Sequence, residues 1–260
     1  MKLGFIGCGN MGGALARAAC GEIMLYDKCE STRDALAREI GAKVAASACE
    51  VAEWADTVFL GVKPAVIAPV AEEIKYAVKR SGCTVISMAA GVAIEKIEAI
   101  LGNGAPIIRI MPNTPAQVKE GMILVCKNAA VSDKVFDGFL SCMSCAGRFD
   151  IIDERLIDAA SAVSGCGPAF VCMFIEALAD GGVKCGLPRD KALLYAEATV
   201  KGAAALALSS GKNPGALKDA VCSPGGSTIE GVMALENGAF RGTVMNAVAA
   251  AYEKTLELGK

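Results

Sequence analysis

The chain has 260 residues, 53% of them hydrophobic, with a formal net charge of -2 and no histidine. That length allows one large or two medium domains with ample core. Well-mixed charge and 5% aromatic content exclude a nucleic-acid footprint. The lack of histidine removes the commonest general acid and the commonest metal ligand together, and hydride chemistry with an organic cofactor survives that loss.

A mean hydropathy of +0.44 raises the question of a membrane. The longest uncharged stretch, residues 159–175, is expected to be too short, and too broken by Gly165, Gly167 and Pro168, to span one. After Met1-Lys2 the apolar run is interrupted at once by glycines and Asn10, unlike a secretory leader. A cytoplasmic protein is expected, with small molecules or other subunits as partners and neither nucleic acid nor membrane. The twelve cysteines then read mostly as buried small hydrophobes. The C-x-x-C at Cys142 to Cys145 has no second pair to complete a zinc site, so no metal is expected.

In chain order, short β-branched or apolar runs predict strands at 2–6, 23–26, 57–62, 84–88, 107–111 and 122–126. Helices fit between them: Ser31 is placed to cap one that stops at Gly41, Pro64 suits the first turn of another, and Ser132 is placed to cap a third. This is the rhythm of an α/β Rossmann-type doubly wound sheet. From Asp153 onward the strand signals vanish, and Ala-rich helical segments run over 154–182, 188–208 and 240–258. The expected domains are therefore 1–152, which binds a dinucleotide, and 153–260, which is all-α.

The first motif is Gly7-Cys8-Gly9-Asn10-Met11-Gly12, directly after a strand and opening a helix. Gly7 permits the tight turn, Gly9 lets the backbone approach a pyrophosphate, and Gly12 allows close helix–sheet packing. The helix start offers N–H groups and positive potential to the phosphates. Asp27, twenty positions after Gly7 at the end of the second strand, suits an adenosine ribose 2′-OH and so NAD, whereas Lys28 suits the 2′-phosphate of NADP. The choice between NADP and NAD stays open. Val62-Lys63-Pro64 and Ala89-Ala90-Gly91 end two further strands at the carboxyl edge, where ligands lie in such sheets and where small residues admit a flat nicotinamide ring.

A second motif, Ser223 to Glu230, holds the double glycine Gly225-Gly226 followed by Ser227 and Glu230 in a capping-box pattern. A helix starting at Ser227 offers its N–H groups to an anion, and a substrate carboxylate is the natural candidate. A further glycine-rich break, 164–169, interrupts a helical pattern and allows close approach of a ligand or helix.

Together these residues resemble the pyrroline-5-carboxylate reductase family over nearly the whole length. The matching stretches are 5–12, 62–64, 87–92, 109–115, 158–169, 176–188 and 217–235; Arg109 to Pro115, Glu176 to Val183 and Ser223 to Ile229 are the most distinctive. The resemblance implies reduction of the cyclic imine 1-pyrroline-5-carboxylate to L-proline, with hydride passing from NAD(P)H. It also implies a helical C-terminal dimerisation domain that interleaves with a partner's, homodimers that assemble further, and active-site regions built by two subunits. By similarity Gly225, Gly226, Ser227 and Thr228 hold the substrate, Thr228 donates or relays the proton, and Glu154 is a substrate-side residue. This sequence departs from the family pattern at Cys166, usually Ser, at Ala48, often Asn, and at Asp27, commonly Asn or Ser, which argues for use of either cofactor. Two alternatives stand beside this resemblance. A β-hydroxyacid dehydrogenase needs Lys and Asn four positions apart, but Lys218 is followed at that spacing by Cys222. A non-catalytic NAD(P)H-binding protein on the same fold is the other.

Overall fold

The structure, a computed structural model, describes residues 1–258. Contacts divide the chain into two compact units: Met1–Cys166 joined by the turns from Ala250 onward, and Gly167–Ala249.

The first unit is built on an eight-stranded sheet in the order β3-β2-β1-β4-β5-β6-β7-β8. Its strands are β1 (Lys2–Ile6), β2 (Glu22–Tyr26), β3 (Lys43–Val44), β4 (Thr57–Leu60), β5 (Thr84–Ser87), β6 (Ile107–Met111), β7 (Gly121–Lys127) and β8 (Gly147–Ile151). Every neighbouring pair is parallel except β6–β7. The expected doubly wound sheet is present, and the direction of winding reverses between β1 and β4, where such folds open a crevice.

Alternation along the central strands sends side chains to two layers. Leu3 and Phe5 of β1, with Phe59 of β4, join Leu15, Phe136 and Phe139 on one side. Ile6, Val58 and Leu60 join Val51, Ile67, Ile74 and Ile97 on the other. Phe5 and Phe59 are register partners, and their rings stack at 4.3 Å between centroids. On the sheet's two faces lie α1 (Asn10–Ala18), α2 (Glu30–Ile40), α3 (Ala48–Trp54), α4 (Pro64–Ser81), α5 (Ile94–Leu101) and α6 (Asp133–Met143), followed by α7 (Glu154–Ser164). Two capping expectations hold: Pro64 opens α4, and the Ser132 hydroxyl accepts from Val135 N–H. One does not. Cys29, rather than Ser31, is the N-cap of α2, because the turn after Asp27 brings the helix start two residues earlier.

The second unit consists of α8 (Gly167–Lys184), α9 (Arg189–Ser210), α10 (Pro214–Ala220), α11 (Ser227–Asn237) and most of α12 (Phe240–Leu258). The expected helix over 154–182 is two helices: Gly165 and Cys166 form a turn between α7 and α8, with both N–H groups bonded to the Ser161 carbonyl. That interruption is brief, and it falls at the glycine-rich break expected from the sequence. By length and composition alone, Glu154–Lys184 is long and apolar enough to cross a membrane.

Candidate active site

At the reversal between β1 and β4 the glycine-rich loop folds as the sequence requires. Gly7 sits at φ +102, and a Cβ there would lie 2.6 Å from the Gly61 carbonyl oxygen. A Cβ at Gly12 would drive into the Gly7 carbonyl, so the start of α1 lies directly on the loop. At Gly9, by contrast, a Cβ would meet nothing within 4 Å. This is the position expected to face a pyrophosphate, and it faces open space. The first turn of α1 contains no acidic residue, and Gly9 provides no side-chain cap. Its positive end is thus available to an anion.

Two adjoining cavities share Gly9, Gly61, Val62 and Lys63. One, of about 320 Å³, is lined also by Gly7, Tyr26, Asp27, Lys28, Ala48 and Glu73. The other, of about 480 Å³, adds Asn10, Met11, Pro64, Met88, Ala89 and Ala90. The structure therefore brings together most of the residues expected to hold a dinucleotide. Gly12 contributes by packing, and Gly91, at φ +72, by turning the chain beside Ala90. A mainly apolar lining with glycine backbone and with Asp27, Lys28 and Lys63 beside it suits the chemistry of a dinucleotide.

Asp27 does more than expected. Its carboxylate accepts from Cys8 N–H at 2.6 Å and from Cys29 N–H at 2.8 Å, so it braces the glycine loop as well as lining the smaller cavity. Lys28 is exposed beside it. Gly61 was missed as a site residue. A glycine closing a run of otherwise apolar strand residues was the available signal, and the close contact with Gly7 is its cause.

The cysteines are less buried than expected: Cys8, Cys83 and Cys126 alone are fully buried, and all twelve are free. Burial pushes the thiols of Cys8 and Cys126 up to about 12. Exposed Cys29, hydrogen-bonded by Ser31 and then Thr32, is lowered to about 7. Among the described residues no group of three or more Cys, Asp or Glu is arranged to hold a metal ion.

Glu154 lies in the first unit, where its Oε1 accepts from Ile94 N–H at 2.7 Å and from Arg109 at 3.2 Å. The distinctive 109–115 segment is likewise tied into the fold. Asn113 is buried, donating to the Ser164 carbonyl and accepting from Met122 N–H.

In the helical unit, the double glycine forms a turn. Gly225 has φ +68, and Gly226 N–H donates to the Ser223 carbonyl. α11 begins at Ser227 as expected, but Gly226 is its N-cap and no side chain caps it. The capping-box reading fails because the turn shifts Ser227 into the helix proper. The consequence favours a ligand: the first-turn N–H groups are left uncapped, and Ser227 and Thr228 are exposed. The same unit exposes large apolar side chains, and Phe170, Phe174, Leu178, Leu235 and Val244 line an apolar cavity of about 380 Å³.

Comparison with known proteins agrees with both units. Residues 2–91 match a family described as NADP oxidoreductase coenzyme F420-dependent, and residues 154–258 match pyrroline-5-carboxylate reductase dimerisation. Pyrroline-5-carboxylate reductase of Escherichia coli is 42% identical, covering 100% of this chain and 98% of its own, and that of Arabidopsis thaliana is 39% identical, covering 100% and 96%. The crystal structure of the Plasmodium falciparum enzyme with NADP bound superposes with a TM-score of 0.89 at 36% identity, over 100% of this chain and 98% of its own. A 3-hydroxyisobutyrate dehydrogenase from Mycobacterium tuberculosis, at 15% identity and TM-score 0.53 over 72% of this chain and 66% of its own, shares the fold alone. With the dinucleotide crevice, the uncapped helix start and full-length similarity all in one chain, it belongs to the pyrroline-5-carboxylate reductase family.

Proposed function

We propose that this protein reduces 1-pyrroline-5-carboxylate to L-proline, the last step of proline biosynthesis, using NADPH or NADH. The observation that carries this reading is the glycine crevice at the winding reversal in a chain 42% identical over its full length to a named reductase of this substrate. When bound, NAD(P)H supplies a hydride, which the imine carbon accepts while the ring nitrogen keeps the proton of the iminium form. Such an imine is already electrophilic, so the protein has to orient and exclude water rather than offer a covalent nucleophile.

The residue assignments follow from that chemistry. Gly7, Gly9, Asn10, Met11 and Gly12 take the pyrophosphate, Asp27 and Lys28 the adenosine ribose, and Val62, Lys63, Pro64, Ala89, Ala90 and Gly91 the nicotinamide end. Gly225, Gly226, Ser227 and Thr228 take the substrate carboxylate and ring nitrogen at the start of α11, with Thr228 donating or relaying to that nitrogen the proton that turns the neutral imine into its iminium form. A hydroxyl is a weak acid, which favours relay through water.

On this reading residues 1–152 are the cofactor domain and 153–260 the substrate and dimerisation domain. Pairing with a second copy gives the apolar helical surface its cover, and dimers assemble further. A cytoplasmic location suits a biosynthetic reductase. The test is oxidation of NADPH and NADH by the purified protein with pyrroline-5-carboxylate, and not with hydroxy- or keto-acids. Lack of turnover with both cofactors would overturn the assignment.

A further inference from the structure

The wall of the larger cavity at Met88, Ala89 and Ala90 packs on the core but has few polar contacts to fix its backbone. Ala89, Ala90 and Gly91 carry no side chain able to make a hydrogen bond. Within the segment Ala89 N–H meets the Ser87 hydroxyl at 3.4 Å, and Val92 N–H meets the Ala89 carbonyl at 3.5 Å, both long for hydrogen bonds. The segment runs directly into α5, whose N-cap is Ala93, a residue with no capping group. The first N–H of α5, at Ile94, is instead bonded at 2.7 Å to Glu154, sixty positions away on α7.

Glu154 is itself fixed. Its Oε1 also accepts from Nη1 of Arg109, whose Nη2 donates to Asp158 on the next turn of α7. Arg109 is 1% exposed, and its Nε is the one buried side-chain nitrogen or oxygen without a partner among the described residues. A buried guanidinium with an unmet donor is a costly way to join a strand to a helix. What the cluster obtains in return is a carboxylate held at the positive end of α5, where charge and hydrogen bond act together.

From this geometry we infer that Glu154 is a positioning residue. It caps α5 from a distant element and so fixes the backbone of residues 89–93, against which the nicotinamide end of the dinucleotide lies; Arg109 holds Glu154 in place. This rests on the dinucleotide reading of the crevice. It replaces direct substrate contact as the role of Glu154, and it links the first helix of the dimerisation region to the cofactor trough.

The experiment uses the full chain and two readouts besides turnover: dinucleotide Kd by calorimetry, and amide hydrogen exchange at residues 94–97 without ligand. Glu154→Ala is expected to raise the Kd about tenfold, the worth of one charge-assisted hydrogen bond, and to speed exchange in the first turn of α5. KM for the dinucleotide should rise while KM for the imine does not. Glu154→Gln keeps an acceptor oxygen for Ile94 N–H and should stay within about threefold of wild type. If the alanine variant fails to fold, Ile94→Pro removes the same bond from the donor side at a helix position suited to proline, and the same rise is expected. Wild-type binding with an unmoved alanine variant, or a glutamine variant no better than alanine, overturns the positioning role alone. A wild-type protein that binds neither dinucleotide overturns the crevice reading and this inference with it.

Discussion

The sheet unit and the helical unit put their apolar residues to different uses. In the first, Leu3, Phe5, Phe59, Ile86 and Phe139 are wholly inaccessible, and two layers of side chains close over the sheet. In the second, the buried hydrophobic residues are Ala179, Ala192 and Ala196, whereas Met173, Leu206, Leu208 and Met245 stand 55–77% exposed. A chain segment so apolar and so poorly covered has its complement elsewhere. The match to a dimerisation family over 154–258 identifies that complement as a second copy. The same inference accounts for a helix pair long and apolar enough to cross a membrane in a chain that belongs to a family of reductases.

Breaking the helical side of the comparison has the largest expected effect. Met173→Glu combined with Val244→Glu places charge on the uncovered face, and the protein is expected to sediment wholly as monomer and to lose turnover. A dimer that survives both charges would show that the pairing surface lies elsewhere. Breaking the sheet side is next: Phe59→Ala removes a ring stacked on Phe5 and tilted against Phe139. It should cost about 3–5 kcal/mol in denaturant unfolding without changing the oligomeric state.

Two glycines sharpen the comparison inside the crevice. Gly12→Ala has no room and should lose both stability and dinucleotide binding. Gly9→Ala has room in the protein and should unfold like wild type while Kd for the dinucleotide rises at least about tenfold, since only the ligand is displaced. Equal stability losses in the two variants would contradict the packing described for Gly12. The smallest effect is chemical. Because the Cys29 thiol is lowered to about 7, its thiolate forms as pH rises through that value and is lost below it. Limiting iodoacetamide at pH 8 should label Cys29 well before Cys8 and Cys126, whose thiols stay protonated up to about 12. At pH 6 labelling of Cys29 should slow about tenfold, as peptide mapping over time would show.

Legibility in the sequence follows the range of each interaction. β1 and β6 were read to the residue and β4 and β5 to within two, because buried parallel strands appear as unbroken apolar runs. β3 has two exposed residues and β8 carries Arg148 and Asp150 on the sheet's outer edge, so neither shows such a run. The glycine loop was legible because strand, turn and helix are contiguous. Caps were legible where the hydroxyl leads directly into the helix, as at Ser132, and misread at Ser31 and Ser227, where a preceding turn moved the helix start relative to the hydroxyl. The role of Glu154 was out of reach, because its partners Ile94 and Arg109 lie 60 and 45 positions away and only the folded sheet brings them together.

The return of the chain from Ala250 to the sheet unit sets when the two units are completed during synthesis. The helical segment is an insertion: the first unit begins before it and is completed after it. During synthesis the sheet can form early, but its last turns, with the buried Thr255, are not available until residues 167–249 have all been made. Residues 240–258 form one helix, α12, that runs through Ala249 into the first unit, so the last element of the chain is the one that completes both units.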